Sequence, residues 1–214
     1  MYAEHITNDL YRVRIPFEDL TTTVYIANCK EGTVIIDSAT YPSDVDDYVL
    51  PALAELGVSA ERVCALALTH NHGDHGGGLA RLAELFPTAA VRALEPLSLS
   101  RYTPLADGEM LAGDLQTVHL PGHTSHSVGY LDRRTKTLLS GDCLQLGGIG
   151  KYRNGIKYPT FYLESIEKLR AMDIGRIVAA HEFDPLGSLA EGSEAVARYL
   201  NECAAIAHAI DKRA

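Results

Sequence analysis

The sequence predicts an α/β fold: two β-sheets packed face to face with helices on the outside. Two observations and one packing rule carry this reading. Strand-like runs fall into two clusters, each cluster is finished by helices, and sheets and helices bury their apolar faces by stacking in layers. With 214 residues, 46% of them hydrophobic, the chain can bury one sizeable core and is short for two ordinary domains. A single domain over residues 1–214 is therefore expected.

The first cluster opens with "LYRVRI", "TTVYIANC" and "GTVIIDSAT", alternating runs that read as neighbouring antiparallel strands with a tight turn at Glu31-Gly32. Ser43 followed by Asp46 resembles a capping box, and Val45, Val49, Leu53 and Leu56 then recur at helical spacing up to Gly57. Pro51 must kink or divide that helix. "RVCALALT" reads as a buried strand leading into a His-rich stretch, and Leu79, Leu82, Ala83 and Phe86 mark one face of the helix behind it. A short strand "AAVRAL" and a short helix near Leu97 to Tyr102 are expected next.

The second cluster begins with "LQTVHL", a strand running into Pro121-Gly122. "SVGYLD" and "TLLSGD" form a hairpin about Arg133 to Lys136, and a glycine-rich loop, "LQLGGIGKYRNGIKYPT", follows Asp142. Helix "FYLESIEKLRAM", strand "RIVAAH" and a last helix from about Ser188 to Ile210 complete the chain. The apolar face of that helix, Val196, Leu200 and Ile206, can serve the core or a second copy of the chain, so a homo-oligomer stays open.

Composition excludes several classes. Lys plus Arg number 19 against 28 Asp plus Glu, a formal charge of −9, which opposes the counterion release that nucleic-acid binding depends on. The start "MYAEHITNDLYRVRIP" has no basic segment followed by an apolar one, and no stretch approaches eighteen uncharged apolar residues. A cytoplasmic protein with no membrane partner is expected. Cys29, Cys64, Cys143 and Cys203 are scattered without a CxxC pair, so neither a disulfide framework nor a zinc ribbon is indicated.

The chemistry is concentrated in "THNHGDHGGG", where His70, His72, Asp74 and His75 fall within six positions. His70 and His72 point the same way in extended backbone, whereas Asp74 and His75 are adjacent and diverge. One tetrahedral ion has difficulty using all four, and a second ion resolves it. His123 in "LPGHTSHS" and His181 in "VAAHEFD" stand at later strand ends and complete one shell each, and Asp142 in "LLSGDCL" can bridge. A capped turn before a helix would account for Asp74 and the glycines but not for three histidines. Imidazole and carboxylate suit zinc, with iron or manganese as alternatives.

"THNHGDHGG" resembles the HxHxDH signature of the metallo-β-lactamase superfamily, and "PGHT", "GD" and "AAH" resemble its later motifs in the same order. "VIIDSA" around Asp37 is similar to its first motif, whose aspartate supports the metal loop. The resemblance runs from about Thr22 to His181. It implies a four-layer αββα sandwich of two mixed β-sheets flanked by helices, with two Zn(2+) per chain at one edge of the sheets. The first metal would take His70, His72 and His123, the second Asp74, His75 and His181, with Asp142 between them. It further implies a dinuclear hydrolase in which a shared hydroxide attacks a small-molecule thioester, ester or lactone, with Asp74 orienting the nucleophile as the catalytic carboxylate.

The substrate is less sharply drawn. The loop after Asp142 carries Lys151, Arg153 and Lys157 with Tyr152 and Tyr158 and no acidic residue. A local positive patch points to an anionic substrate, although an exposed loop that happens to be basic accounts for it equally well. "GDCLQLGGIGKYRNG" is similar to the glyoxalase II stretch in which a basic residue binds the thiol carrier, which would be Lys151 here. "HEF" resembles that family's "HEY", with Phe183 in place of the tyrosine. His126 in "HTSHS" is a further candidate contact, with a hydrogen-bonded turn histidine as its ordinary alternative. Acyl-homoserine lactonases of the superfamily carry a catalytic tyrosine where this chain has Gln145. Persulfide dioxygenases and diiron flavoproteins share the scaffold, so an iron-dependent oxidoreductase is the rival class.

Overall fold

A computed structural model describes residues 1–97, 99, 101–145, 155–183 and 186–211. The chain divides into two compact units, Met1–Leu115 and Gln116–Ala214.

The first unit is built on seven strands: β1 (Glu4–His5), β2 (Leu10–Phe17), β3 (Leu20–Cys29), β4 (Gly32–Ile36), β5 (Val63–Ala67), β6 (Ala90–Ala93) and β7 (Tyr102–Pro104). They lie side by side in sequence order. Each neighbouring pair from β1 to β4 is antiparallel, and β4 to β7 are parallel, so the sheet is mixed. β4 is buried along its whole length, which is why "TVII" is a continuous apolar run and does not alternate. One apolar cluster joins Ile15, Val24, Ile26, Ile35, Leu66 and Val91 of the strands to Val45, Val49, Leu53, Leu82 and Phe86 from the intervening helical segments.

Those segments depart from expectation in two places. The first helix starts on Tyr41, not Ser43: Asp44 Oδ2 accepts the backbone N–H groups of Thr40 (3.1 Å) and Tyr41 (2.8 Å), satisfying amides that a helix start leaves orphaned. It runs as α1 (Pro42–Asp44), a π turn over Val45–Val49, and α2 (Leu50–Glu55). The wide turn stands just before Pro51, which has no N–H to give to a regular ladder, so the proline divides the helix as the sequence predicts. The helix expected near Leu97 to Tyr102 does not form among the described residues. Residues 98 and 100 of that segment lie outside the described residues; Tyr102 N–H donates to the Leu99 carbonyl at 3.1 Å, and Tyr102 opens β7, pairing with Val91. The free edge of β6 offers a ladder of hydrogen bonds that a three-residue polar segment takes in preference to an isolated turn of helix. α3 (Gly73–Gly76) lies within the His-rich stretch and carries Asp74 and His75, and α4 (Leu79–Leu85) follows it.

The second sheet has the order β13-β12-β11-β10-β9-β8, with β8 at Met110–Leu111, β9 at Leu115–His119, β10 at Val128–Asp132, β11 at Thr137–Gly141, β12 at Arg176–Ala179 and β13 at Leu189–Glu191. β10 and β11 form the predicted hairpin, β11 and β12 run parallel, and β12 and β13 antiparallel. The helices are α5 (Pro159–Arg170) and α6 (Ser193–Asp211). Expectation placed the start of the last helix near Ser188. Instead Leu189–Glu191 pair with Arg176–Val178, and Gly192 (φ +87°) turns the chain into α6. Leu131, Leu138 and Ile177 of this sheet pack with Tyr162, Ile166 and Leu169 of α5 and with Val196, Leu200 and Cys203 of α6, with Ile206 at the margin. The apolar face of α6 thus serves the core of its own unit. Among the described residues, no helix is long and apolar enough to cross a membrane.

Two mixed sheets, each with flanking helices, are the components of the predicted αββα class. The turn that leads to His123 is fixed by Gly122, whose φ is +151° and whose missing Cβ would lie 2.6 Å from Cβ of Tyr162. Its carbonyl accepts the N–H groups of Lys157 and Tyr158 at the start of α5, each at 2.9 Å. Gly122→Ala is predicted to cost at least about 2 kcal/mol of unfolding free energy in urea titration, from backbone strain plus overpacking. A loss under ~0.5 kcal/mol would contradict this packing.

Candidate functional site

In the first unit the chain leaves β4 through two left-handed non-glycine residues, Asp37 (φ 63°) and Ala39 (φ 61°). Such backbone persists only where surrounding contacts over-determine it. Here Ser38 N–H and Ser38 Oγ both donate to the carbonyl of His75, at 2.6 and 2.8 Å. The glycines after the His-rich stretch make that approach possible. A Cβ on Gly77 would lie 1.9 Å from the Thr40 carbonyl oxygen, and one on Gly78 2.2 Å from that of Ser38. On the other side, Thr22 Oγ donates to the Asp74 carbonyl at 2.9 Å. The turn bearing the ligands is therefore held from both ends.

Asp37 is 1% exposed, and its carboxylate is surrounded by donors. Oδ1 accepts Thr69 N–H at 2.7 Å, and Thr69 Oγ donates to Oδ2 at 2.8 Å. His75 Nδ1 lies 2.8 Å from Oδ2. A carboxylate only accepts, so the Nδ1 of His75 carries its proton and the Nε2 presents a lone pair. That Nε2 is 3.5 Å from Asp74 Oδ2. The one proton of Thr69 is committed to Asp37, so its oxygen accepts from His70 Nδ1 at 3.1 Å. His70 then also presents Nε2, which faces Nδ1 of His72 at 3.0 Å. His70 is 2% exposed and His75 fully buried, whereas His72 and Asp74 are half-buried. Thus His70, His72, Asp74 and His75 are brought together, and Asp37 stands behind them without being one of them.

The second unit repeats the pattern with different partners. His123 Nδ1 donates to the Gly155 carbonyl at 2.6 Å, leaving Nε2 as the acceptor. That Nε2 lies 3.6 Å from Asp142 Oδ2, and His181 Nε2 lies 3.3 Å from Asp142 Oδ1. Each oxygen of one carboxylate therefore faces a different histidine, and all three residues are 5% exposed. Gln145 Nε2 donates to Asp142 Oδ2 at 2.7 Å.

This donor chemistry fits divalent cations: neutral imidazoles with their tautomers set by a second acceptor, beside carboxylates, are what borderline metals bind. The ligand candidates supply such groups in both units.

A match to the family model of the Metallo-beta-lactamase superfamily covers residues 17–115 and 101–181. The chain belongs to that superfamily. Among its relatives, uncharacterized protein YobT of Bacillus subtilis (strain 168) is 31% identical over 173 residues, 64% of this chain and 72% of the relative. Hydroxyacylglutathione hydrolase of Xylella fastidiosa (strain M23) is 33% identical over 124 residues, 56% of this chain and 46% of the hydrolase. That of Albidiferax ferrireducens is 30% identical over 169 residues, 75% of this chain and 62% of the hydrolase. The chain thus spans about half to two thirds of the hydroxyacylglutathione hydrolases it matches. Solved structures agree on the αββα fold of the superfamily. DIM-1 metallo-beta-lactamase superposes with a TM-score of 0.76 at 14% identity, covering 97% of each chain. A metallo-beta-lactamase family protein of Thermus thermophilus gives 0.73 at 21% identity, covering 96% of this chain and 81% of its own.

The other candidates are dispersed. Lys151 and Tyr152 lie outside the described residues. Tyr158 is 44% exposed and precedes α5. His126 is exposed, its Nδ1 3.0 Å from Ser125 Oγ. Phe183 is 2% exposed and meets the His181 ring edge to face, centroids 5.7 Å apart; it packs behind a ligand candidate. Cys143 is buried and unbridged. Thr69, Gly155 and the side chain of Gln145 were not among the site residues expected from sequence; only the position of Thr69, directly before "HNH", is suggestive.

Thr69→Val keeps the shape and deletes the hydroxyl that joins Asp37 to His70. It is predicted to lower stability by about 1–3 kcal/mol in urea unfolding, since it leaves a buried carboxylate short of a donor. A change under ~0.5 kcal/mol would mean that the hydroxyl has no such task.

Proposed function

We propose that the chain is a metal-dependent hydrolase that holds two divalent cations, zinc first, with iron or manganese acceptable to the same donors. One is held by His70, His72 and His123, the other by Asp74, His75 and His181, with Asp142 shared. The observation that carries this reading is the hydrogen-bond pattern: His70, His75 and His123 each have Nδ1 within hydrogen-bond distance of an oxygen that accepts, an arrangement that assigns the proton to Nδ1 and the lone pair to Nε2. The placement of one Asp142 oxygen toward His123 and the other toward His181 supports the shared role.

Two such cations, when bound, supply hydroxide at neutral pH and polarise a carbonyl. The chain's own residues do the rest. The Asp74 side chain is 16% exposed while His75 beside it is fully buried, so Asp74 is the acidic group able to orient a nucleophile and pass a proton to a departing group. The buried histidines, fixed before any substrate arrives, need no reorganisation during the reaction.

The substrate in this reading is a small thioester, ester or lactone that carries negative charge. Relatives named hydroxyacylglutathione hydrolase favour the thioester. The exposed Lys157 and the sequence of the loop before it, with Lys151 and Arg153, favour an anion, for which Lys151, Tyr152, Tyr158 and His126 are the proposed contacts. The formal charge of −9 weighs against a nucleic acid as substrate.

Metal quantification of the purified protein, coupled to a panel of thioesters, esters and lactones, tests the proposal. About two equivalents of divalent metal and hydrolysis of at least one class are expected. Asp142→Ala is expected to lose at least ~100-fold in kcat/KM together with metal. Protein that takes up no divalent metal and hydrolyses nothing would overturn the proposal. So would iron with oxygen uptake in place of hydrolysis, which would put the chain among the oxidoreductases.

A further inference from the structure

We infer that Gln145 and Gly155 are a coupled pair of positioning residues that hold Asp142 and His123. This rests on the metal-binding role proposed above. Gln145 is 6% exposed, and its Nε2 donates to Asp142 Oδ2 at 2.7 Å. Its main chain is anchored in turn: the Tyr162 hydroxyl donates to the Gln145 carbonyl at 2.7 Å. Burial raises the Tyr162 pKa well above the phenol range, so this donor keeps its proton.

Gly155 supplies the space. A Cβ there would lie 1.0 Å from Gln145 Oε1 and 2.2 Å from its Cδ, so the amide occupies the volume that any side chain at 155 would need. The same glycine accepts His123 Nδ1–H on its carbonyl at 2.6 Å. One residue thus fixes a histidine directly and a carboxylate through a neighbouring amide.

The amide is placed for its donor end. Gln145 Oε1 is buried and has no hydrogen-bond partner among the described residues, an arrangement that stability alone disfavours. A neutral donor suits a carboxylate that must bind cations. It locks the plane of Asp142, so that one oxygen faces each histidine, and leaves the negative charge intact where Lys or Arg would offset it.

Zinc titration against a competing chromophoric chelator, with thermal unfolding of the metal-free protein beside it, tests the pair. Gln145→Leu and Gly155→Ala are each expected to weaken zinc binding by ~10- to 100-fold, while metal-free Gln145→Leu still unfolds in a single cooperative transition. Gln145→Ala empties the space beside residue 155. In that background Gly155→Ala should weaken zinc by less than about threefold further, because both changes act through one contact. Zinc affinity at the wild-type level in Gln145→Leu overturns the inference, as do effects of Gln145→Ala and Gly155→Ala that multiply. If Gly155→Ala does not fold, the Gln145→Leu titration decides alone. Wild-type protein that binds no zinc would overturn the parent proposal and this inference together, whereas wild-type binding matched by Gln145→Leu overturns the positioning role alone.

Discussion

A single buried negative charge organises the first unit. Asp37 is 1% exposed, and an isolated carboxylate in such a place is too costly to remain ionised. It is compensated by Thr69, through both its N–H and its hydroxyl, and by His75. These partners tie the end of β4 to the residues after β5 and to the turn that carries the ligand candidates. The left-handed backbone at Asp37 and Ala39 costs of order 1–2 kcal/mol per residue, and it persists because the donors leave the carboxylate no other place. The same three donors decide protonation states, and through them which ring nitrogens are available to a cation. Fold and chemistry in this unit share one set of hydrogen bonds.

The second unit holds His123 and Asp142 with neutral groups. His123 is oriented by a backbone carbonyl and Asp142 by a neutral amide. The difference is consistent with the ligands themselves. Where the first unit presents mainly histidines, an anion behind them would offset the charge of the cation proposed in front. The second unit contributes Asp142 as an anion of its own, and a further carboxylate beside it would repel.

Much of this could be read from the sequence, and the failures have physical causes. Strands of five or more residues are legible as alternating or continuous apolar runs, and His70 and His72 follow β5, His123 follows β9 and Asp142 follows β11, while Asp74 and His75 lie on the short α3 and His181 follows the four-residue β12. β7 and β13 are three residues each, too short for a period of two to show; the neighbouring strand edge, not propensity, makes them strands. The helix start moved from Ser43 to Tyr41 because Asp44 reaches back two amides, which local pattern can equally ascribe to Ser43 and Asp46. Asp37 was reached only through its resemblance to a family motif, since an aspartate after an apolar run reads equally well as a turn. Gln145 and Gly155 were invisible as a pair. Their relation depends on a contact between residues ten positions apart, and the sequence offers Gln145 only as the absence of a tyrosine.

The proposed metal binding depends on His70, His75 and His123 being set as Nδ1–H tautomers before any metal arrives. Long-range proton–nitrogen NMR of the metal-free protein near neutral pH reads those tautomers ring by ring. His70, His75 and His123 should appear as neutral rings protonated on Nδ1, with Asp37→Asn disturbing the first two and leaving His123 unchanged. Rings protonated on Nε2, or on both nitrogens, in the wild-type protein would show that the hydrogen bonds behind the ligands do not set them.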